Sequence, residues 1–210
     1  VRIRNEENPL NHLWAIEMES KKESRLTSGA DYSVSDVTIS KDSKWLGFRG
    51  TPKDRYQRTV TEATIYADLY LLEVATGKIE RLTDNKEIGE SALSFSPDSS
   101  TIAFSASDDF TYFRNNRVYV RPTAGGQWKK LGGDFDGDVS TGFWSEDGKT
   151  IYFNEGWRAT NQVFSVSRET GKVTQLTKEK AVLFATQDED TKRLIINYSD
   201  PTAPTNWFTA

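Results

Sequence analysis

Apolar and polar residues along this chain alternate in short bursts broken by turn residues, and the clearest burst is Ser91 to Ser105. Ala92, Leu93 and Phe95 precede the group Ser96-Pro97-Asp98-Ser99-Ser100, and Ile102, Ala103 and Phe104 follow it. Proline presets one backbone angle and the Asp and Ser side chains bond back to nearby amides, so the pattern predicts two strands folded about a turn. Related groups stand at Ser40-Lys41-Asp42-Ser43-Lys44, Ser145-Glu146-Asp147-Gly148-Lys149 and, more weakly, Gln187-Asp188-Glu189-Asp190-Thr191. A second column of paired residues, each opening a strand, is Leu13-Trp14, Leu69-Tyr70, Val118-Tyr119, Val163-Phe164 and Trp207-Phe208. A third ends the next strand at Arg25-Leu26-Thr27, Arg81-Leu82-Thr83, Lys130-Leu131-Gly132 and Gln175-Leu176-Thr177.

The spacing between columns defines the repeat. From Trp14, Tyr70, Tyr119 and Phe164 to Thr27, Thr83, Gly132 and Thr177 the step is 13 residues every time. The step on to the hairpin turn is 13 again, shortening to 10 only at the last, Thr177 to Gln187. From the turn to the end of the second hairpin strand it is 8, as in Ser96 to Phe104. The variation therefore collects in one link, from Phe48 to Tyr70, Phe104 to Tyr119 and Phe153 to Phe164, which spans 22, 15 and 11 residues. Four short strands in each period of 56, 49 or 45 residues, with no helix-period segment between them, predict radial blades.

The expected fold is thus all-β, a β-propeller of four-stranded antiparallel blades. Naming the strands A to D outward from the axis, the hairpin supplies A and B, the aromatic column C and the Leu-Thr column D. Complete blades are expected at about Val37 to Thr83, Ala92 to Leu131 and Val139 to Thr177. Partial ones run from Val1 to Thr27, opening on a strand at Val1 to Arg4, and from Ala181 to the end at 210. A propeller closes at about 4 to 8 blades, so this one is expected to be incomplete. Its bare edges call for a longer parent chain or for pairing with another chain.

Composition narrows the chemistry. Of 210 residues none is cysteine, which excludes a disulfide framework, a zinc-thiolate site and a thiol nucleophile, and leaves the compartment open. With 27 Lys and Arg interspersed among 31 Asp and Glu, the net charge of -4 offers no clustered basic surface for nucleic acid. No apolar run approaches the roughly 18 residues of a membrane helix. No G-x-S-x-G occurs and His12 is the sole histidine, so a serine nucleophile and its base cannot both be assembled from these residues. No cofactor or metal is expected. The run Asp134-Phe135-Asp136-Gly137-Asp138 fails the EF-hand spacing, with Val139 and Ser145 where Gly and Glu are needed, and reads as a solvated turn.

The phrases Leu69 to Lys78 and Ile79 to Thr83, followed by Ser94-Phe95-Ser96-Pro97-Asp98, resemble the blade repeat of two groups: the N-terminal propeller of the prolyl oligopeptidase family of serine peptidases and the periplasmic propeller of the Tol system. The stretch Ser199-Asp200-Pro201-Thr202-Ala203-Pro204 is similar to the Ser-x-Pro-Thr-x-Pro link that enters the last blade of such peptidases, and favours them. Trp207-Phe208 stands where that family usually has Leu-Tyr. The resemblance implies a parent enzyme in which a Ser-His-Asp hydrolase domain is capped by the propeller, which admits short or unfolded peptides. The partners implied are that domain and a peptide substrate; a stand-alone protein-binding scaffold of the Tol type is the alternative. Dipeptidyl peptidases of the family hold the substrate amine with an adjacent Glu pair on a helical insertion. Glu87 and Glu90 are not adjacent, and Glu6-Glu7 lacks the surrounding motif, so that role is not carried over.

The resemblance further implies that the B to C and D to A connections share the end facing the active-site cavity. The variable B to C links then carry the candidate residues: Arg55, Tyr56 and Arg58 in the first; Phe110, Tyr112, Phe113 and Arg114 in the second; Trp157 and Arg158 in the third. Arginine beside an aromatic can grip a peptide carboxylate or carbonyl while the ring covers an apolar side chain. The competing expectation is that these residues pack on neighbouring blades or on the hydrolase domain. Trp45, Phe48, Phe95, Phe104, Phe143 and Phe153 are expected to form core between blades, and His12 to be structural.

Overall fold

The computed structural model describes residues 9–53, 65–84, 88–188 and 190–209, and the chain divides into two compact units, residues 1–93 and 94–210. The expected strand at Val1 to Arg4, together with Glu6, Glu7, Arg55, Tyr56, Arg58 and Glu87, lies outside the described residues.

The A to B turns share one hydrogen-bonded clasp. The Ser40, Ser96 and Ser145 hydroxyls donate to Asp42, Asp98 and Asp147 at 2.7, 2.6 and 2.7 Å. The same carboxylates accept the amides of Lys44, Ser100 and Lys149, and the serine hydroxyls accept those of Trp45, Thr101 and Thr150. Ser43, Ser99 and Gly148 take φ of 58°, 60° and 64°, the left-handed conformation each turn requires. At the fourth turn Asp188 accepts the Thr191 amide and hydroxyl instead, with Lys192 at φ 58°.

In the first unit, β1 (Trp14–Ile16) and β2 (Glu23–Arg25) form a two-stranded antiparallel sheet. A four-stranded antiparallel sheet follows, in the order β3 (Tyr32–Ile39), β4 (Trp45–Pro52), β5 (Asp68–Glu73) and β6 (Ile79–Arg81). β3 starts five residues before the Val37 at which the pattern begins, passing an irregularity between Ser35 and Thr38 where Asp36 has φ 48°. The early start has a packing reason: the Tyr32 ring stacks on Tyr70 at 4.7 Å, and Tyr70 on the wholly buried Phe48 at 5.2 Å. Leu13 and Leu26 pack against this cluster.

In the second unit, one sheet runs β7 (Ser94–Phe95), β8 (Thr101–Ser107), β9 (Asn116–Pro122) and β10 (Lys129–Leu131). Another runs β11 (Phe143–Trp144), β12 (Thr150–Trp157), β13 (Thr160–Ser167) and β14 (Val173–Gln175). The antiparallel β15 (Val182–Gln187), β16 (Leu194–Asp200) and β17 (Ala203–Thr209) join it through one parallel bridge, Asn161 to Val182. Among the described residues the chain is thus all-β, with one two-stranded sheet, two four-stranded antiparallel sheets and a seven-stranded sheet in which four antiparallel strands, β11 to β14, are extended by three more.

Large and small residues mesh between sheets. Ala103, Val118 and Val120 face Trp144, Ile151, Phe153, Phe164 and Val166 in one continuous core. The other face of this sheet packs, through Phe143 of β11 and Val163 of β13, on Leu183 and Ala185. Each buried ring contributes roughly 1.5–3 kcal/mol by area, the main source of cohesion between sheets. Phe48, Phe104 and Phe153 are fully buried; Trp45, Phe95 and Phe143 are partly so.

A further clasp fixes each strand C. The Thr27, Thr83 and Thr177 hydroxyls accept the Leu13, Leu69 and Val163 amides, each at 2.9 Å. These bonds hold the start of strand C against the end of strand D, which is why the 13-residue step recurs. In the third repeat Gly132 replaces threonine at φ 78°, and a Cβ there would lie 2.6 Å from Val139 Cγ2.

Candidate functional site

The loop between β8 and β9, residues 108–115, is built from a single 3-10 turn at Asp108–Phe110 with Asp109, Phe110 and Phe113 at positive φ. Such strained backbone persists only when surrounding contacts hold it, and here they are visible. The Ser107 hydroxyl donates to the Thr111 and Arg114 carbonyls, and the Asp109 amide donates to the Tyr119 hydroxyl at 3.1 Å. Lys130 reaches Asp108 at 2.6 Å and Asp109 at 3.0 Å. Burial pushes the Asp108 carboxyl up, but the bond and charge of Lys130 with the charge of Arg117 hold it below its ordinary value.

The loop's three aromatics diverge in role. Phe110 folds back, stacking on Tyr119 at 5.2 Å and lying 6.3 Å from Phe104. Tyr112 and Phe113 point away from the sheet, Phe113 with its whole side chain in solvent and its ring 6.1 Å from that of Tyr112. Arg114 is exposed and meets Asp109 at 3.4 Å, a surface pair that contributes little to stability.

The next link is shorter than its 11-residue interval suggests, because β12 and β13 stay paired up to Trp157 and Thr160. Only Arg158 and Ala159 remain as the turn, Arg158 with φ 58° and its side chain exposed. Trp157 turns inward: it stacks on Phe135 at 5.4 Å and sits edge-on to Phe164 at 5.8 Å. Of the second and third links, then, Phe110 and Trp157 pack on the scaffold, while Tyr112, Arg114 and Arg158 face solvent.

Phe135 belongs to the connection from β10 to β11, and hydrogen bonds bring that connection to the start of β9. The Asn116 amide donates to Asp138 at 2.6 Å, and the Val139 amide to the Asn116 carbonyl at 3.0 Å. The Asp138 amide donates to Glu155 at 3.0 Å, and burial pushes the Glu155 carboxyl above its ordinary range. Asp138 in the acidic run is therefore a backbone acceptor in a turn.

Arg117, which the sequence pattern leaves unremarked, is buried at the centre of this arrangement. One terminal nitrogen donates to the Asn116 and Gly137 carbonyls, each at 2.7 Å, and the other to the Phe135 carbonyl at 2.8 Å. Its Nε lies 3.7 Å from Asp108. The position two residues before the strand C aromatic is polar throughout. Asp68 pairs with Arg81 at 2.5 Å, and Gln162 donates to the Glu179 and Ala181 carbonyls at 2.9 and 3.0 Å. His12 sits 3.2 Å from the Thr27 hydroxyl, its pKa lowered by burial and by Arg25. A polar residue at fixed spacing before an aromatic was the signal by which this column could have been found.

Comparison with known proteins places the chain in a family. A family model described as the dipeptidyl peptidase IV (DPP IV) N-terminal region matches residues 1–108. Dipeptidyl-peptidase 5 of Porphyromonas gingivalis is 26% identical over 113 residues, covering 53% of this chain and 16% of that protein. A prolyl endopeptidase structure superposes with a TM-score of 0.64 at 16% identity, covering 95% of this chain and 30% of that one. TolB from Acinetobacter baumannii gives a TM-score of 0.58 at 20% identity, covering 95% and 45%. The structural likenesses establish the fold as a β-propeller, here incomplete. The chain spans about one sixth of the length of the curated relative it matches.

Proposed function

This chain belongs to the family of the dipeptidyl peptidase IV N-terminal region, and from that premise we propose that it is a non-catalytic propeller segment that gates and selects peptides for a serine hydrolase domain of the same parent protein. The match of the family model over residues 1–108 carries the reading. Its support in this chain is the distribution of variation: the hairpin turns and three of the four C to D steps are held by serine, aspartate and threonine clasps, while the larger length differences fall in the B to C links. Loops on a rigid scaffold can change without disturbing the core, and that is where selectivity is placed. In this reading the repeats run at about 37–83, 92–131 and 139–177 with partial ones at 1–27 and 181–210, and Arg55, Tyr56, Arg58, Tyr112, Arg114 and Arg158 face the peptide or the hydrolase domain.

The test is peptide hydrolysis by the complete natural protein, with this segment alone as the inert control, together with the reading frame beyond Ala210. A G-x-S-x-G followed by Asp and His, with hydrolysis abolished by replacing that serine, is the expected result. A stop after one or two more repeats, with no hydrolysis, would replace the reading by a stand-alone binding propeller.

A further inference from the structure

We propose that Arg117 is a positioning residue of this segment, fixing the spacing between the 108–115 loop and the 157–160 turn and thereby the peptide preference of the enzyme; the second half of the inference rests on the function proposed above. The two links belong to different sheets and share no backbone bond among the described residues, yet one guanidinium faces the first directly and bears on the second through Phe135. On one side it faces Asp108 at 3.7 Å, at the root of the loop that carries Tyr112 and Arg114. On the other it binds the Phe135 carbonyl at 2.8 Å, and the Phe135 ring stacks at 5.4 Å on Trp157, the residue before the Arg158 turn. A third contact, to the Gly137 carbonyl, fixes the segment whose Asp138 amide holds Glu155 on β12.

Arginine suits this task because its planar fork addresses several acceptors in set directions, whereas a lysine is a single flexible point charge. Its burial points the same way: it is screened from water and committed to these carbonyls and this carboxylate. None of these contacts touches a reacting group, so the residue acts through the loops it holds.

The experiment compares the complete protein with Arg117→Lys and Arg117→Met in two arms. In the first, amide hydrogen exchange is followed in peptides covering 108–115, 134–138 and 157–160. Arg117→Met should speed exchange about tenfold in all three together and leave β4 and β5 unchanged, and Arg117→Lys should restore part of the protection. Acceleration confined to 134–138, or spread through every strand, would overturn the positioning role. In the second arm, an internally quenched randomised hexapeptide library and p-nitrophenyl acetate are hydrolysed. The expected result for Arg117→Met is a KM for the peptides raised about tenfold with kcat and ester hydrolysis unchanged; an unchanged KM and unchanged peptide preference would overturn the link to selection. Failure of the unaltered protein to hydrolyse either probe would refute the proposed function instead, and the exchange arm would still decide whether Arg117 couples the loops.

Discussion

Replacing Phe104 by alanine tests the packing argument most directly. The ring is buried to within 1% of complete exclusion from solvent, stacked on Tyr119 at 5.3 Å and meeting the edge of Trp128 at 4.9 Å, with Phe110 at 6.3 Å. Truncation removes the transfer free energy of the ring and leaves a cavity, together about 3–5 kcal/mol for a buried Phe. With unfolding entropies typical of a chain this long, each kcal/mol lowers the midpoint by roughly 2–4 °C, so a fall of about 6–20 °C is expected. The aromatic pair with Tyr119 accounts for about 0.5–1.5 kcal/mol of this, measurable by a double-mutant cycle with Tyr119→Leu. Thermal unfolding followed by circular dichroism gives the midpoint. Phe104→Leu, which keeps most of the volume, should cost less than half as much. A midpoint that moved by under 2 °C in the alanine variant would refute the assignment of this ring to the core.

Two further outcomes follow from the clasps. Asp98 has its carboxyl pKa lowered to about 2, first by the Ser96 hydroxyl and then by the Ser100 amide and hydroxyl. Its folded value lies below its unfolded one, so its stabilisation is present above about pH 4 and is lost as pH falls toward 2; discounted for solvent, it amounts to about 1 kcal/mol. Asp98→Asn should flatten that part of a urea-midpoint-against-pH curve, and an unaltered slope would show the turn to be held otherwise. Thr177→Val leaves the Val163 amide and Gln162 Oε1 without their shared partner and should cost about 1–3 kcal/mol by chemical denaturation. Thr177→Ser, which keeps the hydroxyl, should retain most of the stability, and a loss in the serine variant with none in the valine variant would assign the effect to the methyl group instead.

The repeat was legible because it is written locally. Ser96-Pro97-Asp98 sets a turn by bonds within five residues, and the aromatic column marks each strand C, so spacing alone led to four strands per repeat and to the β-propeller. The resemblance to the peptidase propeller rested on the blade phrases Leu69 to Thr83 and Ser94 to Asp98, shared with the Tol propeller, and on the Ser199 to Pro204 link that favours the peptidases; the family match, over residues 1–108, agrees with it. What stayed hidden depends on distant partners. Arg117 stands just before the apolar run Val118-Tyr119-Val120, marked only by its spacing to the aromatic, and two of its acceptors lie 18 and 20 residues further on, so what it binds is not written locally. Thr27, Thr83 and Thr177 were visible as a column, but the amides they accept lie 14 residues earlier. The turn at Arg158 was hidden for a third reason: Arg at positive φ carries none of the Gly or Asn signature that marks a two-residue hairpin turn.

The bridge between β13 and β15 bears on how the chain assembles. Beside the Asn161 to Val182 pairing, the Asn154 side chain behaves as a peptide group, donating to the Ala185 carbonyl at 2.9 Å and accepting its amide at 2.7 Å. Both groups that receive β15 therefore precede it in sequence, on strands already closed into a hairpin by their own turn. As the polypeptide leaves the ribosome, a finished template awaits the incoming strand, and the last three strands can be added by zippering onto it. Growth of the sheet from its older edge gives each new strand an edge already in place, an order of addition written into two asparagines.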